Sequence, residues 1–240
     1  MLVAGNWKMN KNIKETILFF KKFNKLLKTK NKIVLFPSFP CIFVARNSAS
    51  KTISIGAQNV FFEEKGEFTG EVSCSQLKPF CDFVILGHSD RRHKFFESNQ
   101  LINKKIKKAF ESKFKVILCV GETLKEKNKN KTNSVISNQL KQSLSKIKFT
   151  KNLFIAYEPV WAIGTGKNAN IKDITKAHSF IQKTLVSLFG KKAEKTQILY
   201  GGSVKPENMK EIFSIPKVSG VLVGGASLNP KTFAKIANFK

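Results

Sequence analysis

Arginine is nearly absent from a chain that is otherwise strongly basic. Only Arg46, Arg91 and Arg92 stand among 43 Lys and Arg residues, against 16 acidic ones, for a formal net charge of +27. Base readout in nucleic acids favours the bidentate guanidinium fork. The lysines are also scattered along the whole chain beside Asn, Ile and Phe instead of forming a patch. No nucleic-acid partner is therefore expected, although a positive field speeds the arrival of a small anion. A run of about 18 apolar residues, as a membrane span needs, is also missing, so no membrane partner is expected. The four cysteines, Cys41, Cys74, Cys81 and Cys119, lack paired metal spacing and fall mostly in or beside apolar runs. They read as reduced, mostly buried thiols of a cytoplasmic protein, with no metal site. The start Met1-Leu2-Val3-Ala4-Gly5-Asn6 carries no export signal. No linker or low-complexity tract divides the chain, so one domain over residues 1–240 is expected; Lys125 to Lys131 reads as a charged surface segment.

What is present is a repeat of short apolar, β-rich runs, each followed by helical spacing or a helix-start signal. The runs predict strands at Leu2-Asn6, Ile33-Phe36, Ile53-Ala57, Phe83-Gly87, Val116-Val120, Leu153-Tyr157, Ile198-Tyr200 and Gly220-Val223. Eight parallel strands alternating with an outer ring of helices close a single (β/α)8 barrel of the α/β class; by spacing alone an open doubly wound sheet also fits. Between strands one and two, Ile13, Ile17, Phe20 and Leu27 predict one covering helix face. Leu101, Ile102, Ile106 and Phe110 predict another, and Ile174, Phe180, Ile181, Leu185 and Leu188 a third. Pro206 and Pro230 sit where a first helical turn tolerates a missing N–H.

Parallel barrels place their chemistry at the C-terminal ends of the strands. Strand one runs into Asn6-Trp7-Lys8, strand four into Gly87-His88-Ser89-Asp90, and strand six into Tyr157-Glu158-Pro159. Glu158 follows an apolar run that delivers a carboxylate to a partly desolvated site, which suits a general base. On position alone a capping or ion-paired carboxylate explains it equally well. Ser89 reads as the cap of the next helix, whose positive end keeps a neighbouring His88 imidazole neutral and able to donate to an oxyanion; His93 and His178 read as surface or structural. Lys8 at the mouth offers an ammonium to phosphate and developing negative charge, though any one lysine here is more often plain surface. Gly164-Thr165-Gly166, Gly201-Gly202-Ser203 and Gly224-Gly225 follow strands six, seven and eight, where barrel enzymes set backbone N–H groups around a phosphate. Pro159 to Lys167, with a stiff start, an apolar middle and a glycine-bearing end, has the composition of a hinged lid.

Taken together, Asn6-Trp7-Lys8-Met9-Asn10, Leu86-Gly87-His88-Ser89-Asp90-Arg91-Arg92 and Tyr157-Glu158-Pro159-Val160-Trp161-Ala162-Ile163-Gly164-Thr165-Gly166-Lys167 closely resemble the triosephosphate isomerase family. The resemblance continues through Cys119-Val120-Gly121-Glu122, Tyr200-Gly201-Gly202-Ser203-Val204 and Leu222-Val223-Gly224-Gly225-Ala226-Ser227-Leu228, so it spans the chain. It implies cofactor-independent interconversion of dihydroxyacetone phosphate and D-glyceraldehyde 3-phosphate. Glu158 is then the base, and His88 polarises the carbonyl and shuttles protons between oxygens. Lys8 and Asn6 stabilise the enediolate, and Gly164, Ser203, Gly224 and Gly225 hold the phosphate. The family's use of a carboxylate base with a neutral histidine is a standard illustration of tuned acidity. The resemblance further implies a homodimer, in which Gln58 to Glu71 docks beside the partner's site. Thr69 then reaches toward the partner's Asn6 and His88, and Glu71 pairs with Arg91. One departure stands out: Asp90 occupies a position that is commonly Glu, which puts in question whether the shorter side chain spans to Lys8. A different phosphate-binding barrel isomerase and a barrel that has lost turnover are the rival readings. The Pro-Val-Trp-Ala-Ile-Gly-Thr-Gly-Lys segment after Glu158 speaks against the first, and the intact principal residues against the second.

Overall fold

The computed structural model describes residues 1–162 and 169–239. In chain order, β1 (Leu2–Asn6) leads to α1 (Ile13–Leu26), β2 (Lys32–Phe36) to α2 (Ile42–Ser48), and β3 (Ile53–Ala57) to α3 (Cys74–Leu77). Then β4 (Phe83–Leu86) leads to α4 (Ser89–Lys94) and α5 (Asn99–Glu111), and β5 (Lys115–Val120) to α6 (Leu124–Asn128) and α7 (Thr132–Ser143). Finally β6 (Leu153–Tyr157) leads to α8 (Ile171–Phe189), β7 (Gln197–Tyr200) to α9 (Met209–Ser214), and β8 (Val218–Val223) to α10 (Pro230–Ala237).

The eight strands run parallel in sequence order, and β8 returns to pair with β1, so the sheet closes into a barrel. Closure removes both sheet edges. Alternate residues of each strand face opposite ways. Leu2, Ala4, Val34, Phe36, Ile85, Ile117, Cys119, Ala156 and Leu199 form one apolar group in the barrel interior. Val3, Leu35, Ile55, Val84, Val116 and Ile155 join the helices in a second, larger group around it. All four cysteines are free and buried. No helix among the described residues is long and apolar enough to cross a membrane.

Several strands begin earlier than hydropathy predicts, at Lys32, Lys115, Gln197 and Val218. The ladder there is made by backbone groups, as between Phe83 and Lys115, so a polar side chain does not end it. Strand four stops at Leu86, because Gly87 turns to a positive φ of 68°.

The first helix corrects its predicted face. Ile13 and Ile17 are exposed, and the buried stripe is Thr16, Phe19, Phe20 and Phe23. A reciprocal cap between Asn12 and Glu15 fixes where the helix starts. The stripe packs on the indole of Trp7, with Phe19 edge-on at a centroid distance of 4.8 Å. In α5, Leu101 and Phe110 are only half-buried, and in α8 Phe180 is half-buried while Leu188 is exposed. His178, by contrast, is wholly buried in α8.

Candidate active site

Every predicted site residue that the structure describes, apart from Asp90 and Thr69, lines one cavity of about 320 Å3 at the C-terminal mouth of the barrel. Asn6 and Lys8 come from β1, His88 from β4, Glu158 from β6, Ser203 from β7, and Gly224 and Gly225 from β8. Gly164 lies outside the described residues, as does the end of the predicted lid. From that segment Val160–Ala162 forms a single tight turn.

Lys8 reaches the mouth with left-handed backbone, φ 51°, a conformation that costs an L-residue about 1–2 kcal/mol. Two side chains hold it there. The Lys8 N–H donates to Asn6 Oδ1 at 3.0 Å, and Gln58 Nε2 donates to the Lys8 carbonyl at 2.8 Å and to that of Phe36 at 2.9 Å. The Lys8 ammonium lies 3.0 Å from Asp90 Oδ2, so the shorter carboxylate does span the gap. Asp90 also meets Lys94 at 3.2 Å. Burial acts to raise the pKa of the Asp90 carboxyl. The hydrogen bond and charge of Lys8, joined by His88 and Lys94, outweigh burial and leave the carboxyl below the usual range.

His88, and not Ser89, caps α4. The Asp90 N–H donates to His88 Nδ1 at 3.1 Å, which makes the ring itself the capping group. An N–H aimed at Nδ1 requires a lone pair there, so the neutral ring carries its proton on Nε2. That proton points at Glu158, with Nε2 3.1 Å from Oε1. Ser89 serves instead as a donor: its N–H meets Glu158 Oε2 at 2.9 Å. Glu158 is almost fully buried, at 3% exposure.

The backbone beneath Glu158 is closely fitted. Its N–H donates to the Val120 carbonyl at 2.8 Å. A Cβ at Gly121 would collide with the Glu158 carbonyl oxygen, so only glycine admits this approach. Glu122 is buried, receives the Tyr157 hydroxyl and accepts Trp161 Nε1 at 2.9 Å. Burial pushes its carboxyl above the usual range despite those donors. Arg92 donates to the carbonyls of Gly87 and Cys119, bracing β4 against β5; burial lowers its guanidinium to about 10.

Opposite Glu158, open space surrounds the backbone of Gly224 and Gly225, as an anion held by main-chain N–H groups needs. Ser227 fixes this turn by donating its N–H and Oγ to the Gly224 carbonyl at 2.8 and 2.7 Å. Trp7 Nε1 holds Ser227 in turn, donating to its carbonyl at 3.2 Å.

Thr69 lies elsewhere, exposed on the loop after β3 and apart from the cavity of its own chain. Arg91 pairs with Glu97 at 2.6 Å. Among the described residues no ion pair joins it to Glu71 of the same chain. Sequence reasoning did not single out Gln58 or Glu122 as site residues. Both act through long-range contacts, and only the strand-end position of Glu122 in a quoted motif hinted at it. The described residues hold no cluster of three or more His, Cys, Asp or Glu able to bind a metal ion.

A sequence model of the triosephosphate isomerase family matches residues 1–240. The chain is similar to the triosephosphate isomerase of Thermodesulfovibrio yellowstonii, with 44% identity over 99% of this chain and 98% of that one. It is 46% identical to that of Clostridium tetani over 100% of this chain and 96% of the relative. It is 45% identical to that of Aquifex aeolicus over 98% and 97%.

Proposed function

The chain belongs to the triosephosphate isomerase family and interconverts dihydroxyacetone phosphate and D-glyceraldehyde 3-phosphate, the glycolytic isomerisation, and we propose that Glu158 and His88 carry its proton transfers. The observation behind this assignment is the shared cavity, in which a buried carboxylate, an imidazole and an ammonium line one small space.

Glu158 takes a proton from the carbon beside the carbonyl and returns it to the neighbouring carbon. To do so its carboxylate leaves the Ser89 N–H and the His88 Nε2–H. That departure frees the Nε2 proton for the carbonyl oxygen, so the two groups begin to act together. A neutral donor suits the enediolate, because it is matched to the oxygen whose proton it exchanges. Lys8 and Asn6 stabilise the charge that develops on the oxygens. Asp90 holds the Lys8 ammonium at the edge of the cavity through their 3.0 Å contact. Ser203, Gly224 and Gly225, with Gly164, hold the phosphate through backbone and hydroxyl donors. No cofactor takes part in these steps.

We further propose that residues 1–240 act as one domain, in the cytoplasm, as a homodimer. Met9 beside Lys8, Phe95 and Phe96 after α4, and Phe68 on the loop after β3 are exposed apolar groups, and Met9 and Phe96 are 95% and 84% exposed. Large apolar side chains this bare on the segments that follow β1, β3 and β4 suit a partner surface. A second copy supplies it, with Thr69 of each protomer reaching toward Asn6 and His88 of the other. A coupled assay on the purified protein, with no added cofactor, tests the activity. Turnover of either triose phosphate is expected, and its absence rejects the function.

A further inference from the structure

Three residues past the catalytic base, the indole of Trp161 is held from two sides. Its Nε1 donates to Glu122 Oε1 at 2.9 Å, and the Lys127 ammonium lies over the ring, 3.4 Å from its centroid. Lys127 is anchored in turn, with its Nζ 2.6 Å from Asp173 Oδ2. Glu122 after β5 and Lys127 of α6 thus both contact Trp161, and the first turn of α8 joins them through Lys127.

This cluster also grips the chain on both sides of Glu158. The Tyr157 hydroxyl, just before the base, is 3.2 Å from both oxygens of Glu122. The Val160 N–H, just after it, donates to the Glu122 carbonyl at 3.1 Å. Glu122 is buried and rigidly placed, whereas Lys127 and Asp173 each keep 30% of their side chain exposed. An ion pair that exposed adds little to folding stability. A cation over an indole face is nonetheless directional, and here it restricts the ring that the base-bearing segment ends on.

We propose that Lys127, anchored by Asp173, is a positioning residue for the isomerisation: it holds Trp161 against Glu122 and so fixes the backbone that presents Glu158. Lys127 belongs to a charged surface segment whose other lysines, Lys125, Lys129 and Lys131, are exposed. The proposal rests on Glu158 being the base, which the Glu158→Gln variant tests separately.

The test compares kcat, KM and tryptophan emission in Lys127→Ala, Lys127→Arg, Asp173→Asn, the Lys127→Ala/Asp173→Asn double variant and a Lys125→Ala control. The phosphate donors and Lys8 are untouched, so KM is expected to stay within about twofold while kcat falls about five- to tenfold in Lys127→Ala, the scale of a slight misplacement of a reacting group. Lys127→Arg restores kcat to within about twofold, because a guanidinium also stacks on indole and pairs with a carboxylate. The double variant is no slower than Lys127→Ala, and Lys125→Ala matches the parent. The chain has two tryptophans, and the emission change on Lys127→Ala disappears in a Trp161→Phe background. Parental kcat in Lys127→Ala, an equal loss in Lys125→Ala, or Lys127→Arg as slow as Lys127→Ala would each overturn the proposal. If Glu158→Gln keeps its activity the base assignment falls, and the emission change alone then decides whether Lys127 holds Trp161.

Discussion

His88 Nε2 lies 3.1 Å from Glu158 Oε1, so the two groups assigned to proton transfer touch each other before any substrate arrives. Each satisfies part of the other's hydrogen-bonding need, and the Ser89 N–H meets the second oxygen of Glu158. Substrate must therefore replace this contact with two of its own, one at carbon and one at oxygen. His88→Gln keeps a donor but cannot carry protons between oxygens. It is expected to lower kcat about 10²-fold or more with a smaller effect on KM, on the scale of general acid–base catalysis. Steady-state kinetics in both directions check this, and a kcat within threefold of the parent would reject His88 as the shuttle.

The contact between Lys8 and Asp90 gives a second expectation. Asp90→Asn removes the charge that directs Lys8, and kcat/KM should fall about tenfold, equivalent to about 1.4 kcal/mol of transition-state stabilisation. Asp90→Glu should stay within a fewfold, since a carboxylate remains. Equal activity in Asp90→Asn and the parent would show that Lys8 needs no such partner.

How far the sequence reveals this molecule depends on which physical signal each feature leaves. The C-terminal ends of strands were legible at Asn6 and Tyr157, because an apolar run stops at a polar or turn-forming group and the site sits on that step. The N-terminal ends at Lys32 and Lys115 were not, because backbone pairing leaves no mark in side-chain polarity. The face of α1 was misassigned to Ile13 and Ile17 since hydropathy counts every apolar side chain, including those left exposed. The capping role of His88 was hidden because a ring nitrogen is an uncommon cap, and Ser89 offered a commoner one. Gln58 stands 50 positions from Lys8 in sequence, and nothing local announces such a contact.

Folding stability should depend on pH through His178. It is buried in α8, and burial lowers its folded value from 6.5 to about 4, against a weak opposing bond to the Lys217 carbonyl. Below pH 6.5 the unfolded chain takes a proton that the folded chain refuses, so stability falls as pH drops from about 6.5 toward about 4. The full difference is about 3 kcal/mol. Thermal unfolding followed across this window should show the loss, and His178→Gln should flatten it. An unchanged slope in that variant would assign the effect to other groups.

The net charge of +27 should speed capture of the anionic substrate. If it does, kcat/KM falls as ionic strength rises, because screening shortens the field to about 8 Å at physiological salt. A flat profile with a non-hydrolysing, inert salt would remove steering from the account.

The exposed Met9, Phe95 and Phe96 predict a particle of twice the 27.0 kDa chain mass in light scattering. Thr69→Arg, placed on the loop proposed to dock, should shift it toward single chains and lower activity together. A monomeric parent at micromolar concentration would contradict the proposed homodimer.

The central claim is that Glu158 is the base, and the most direct measurement is the turnover of Glu158→Gln in a coupled assay beside its thermal unfolding. The account predicts a kcat lower by about 10²–10⁴-fold, with KM near that of the parent and a folded protein. Turnover within about tenfold of the parent, in a protein that unfolds at the same temperature, would contradict it.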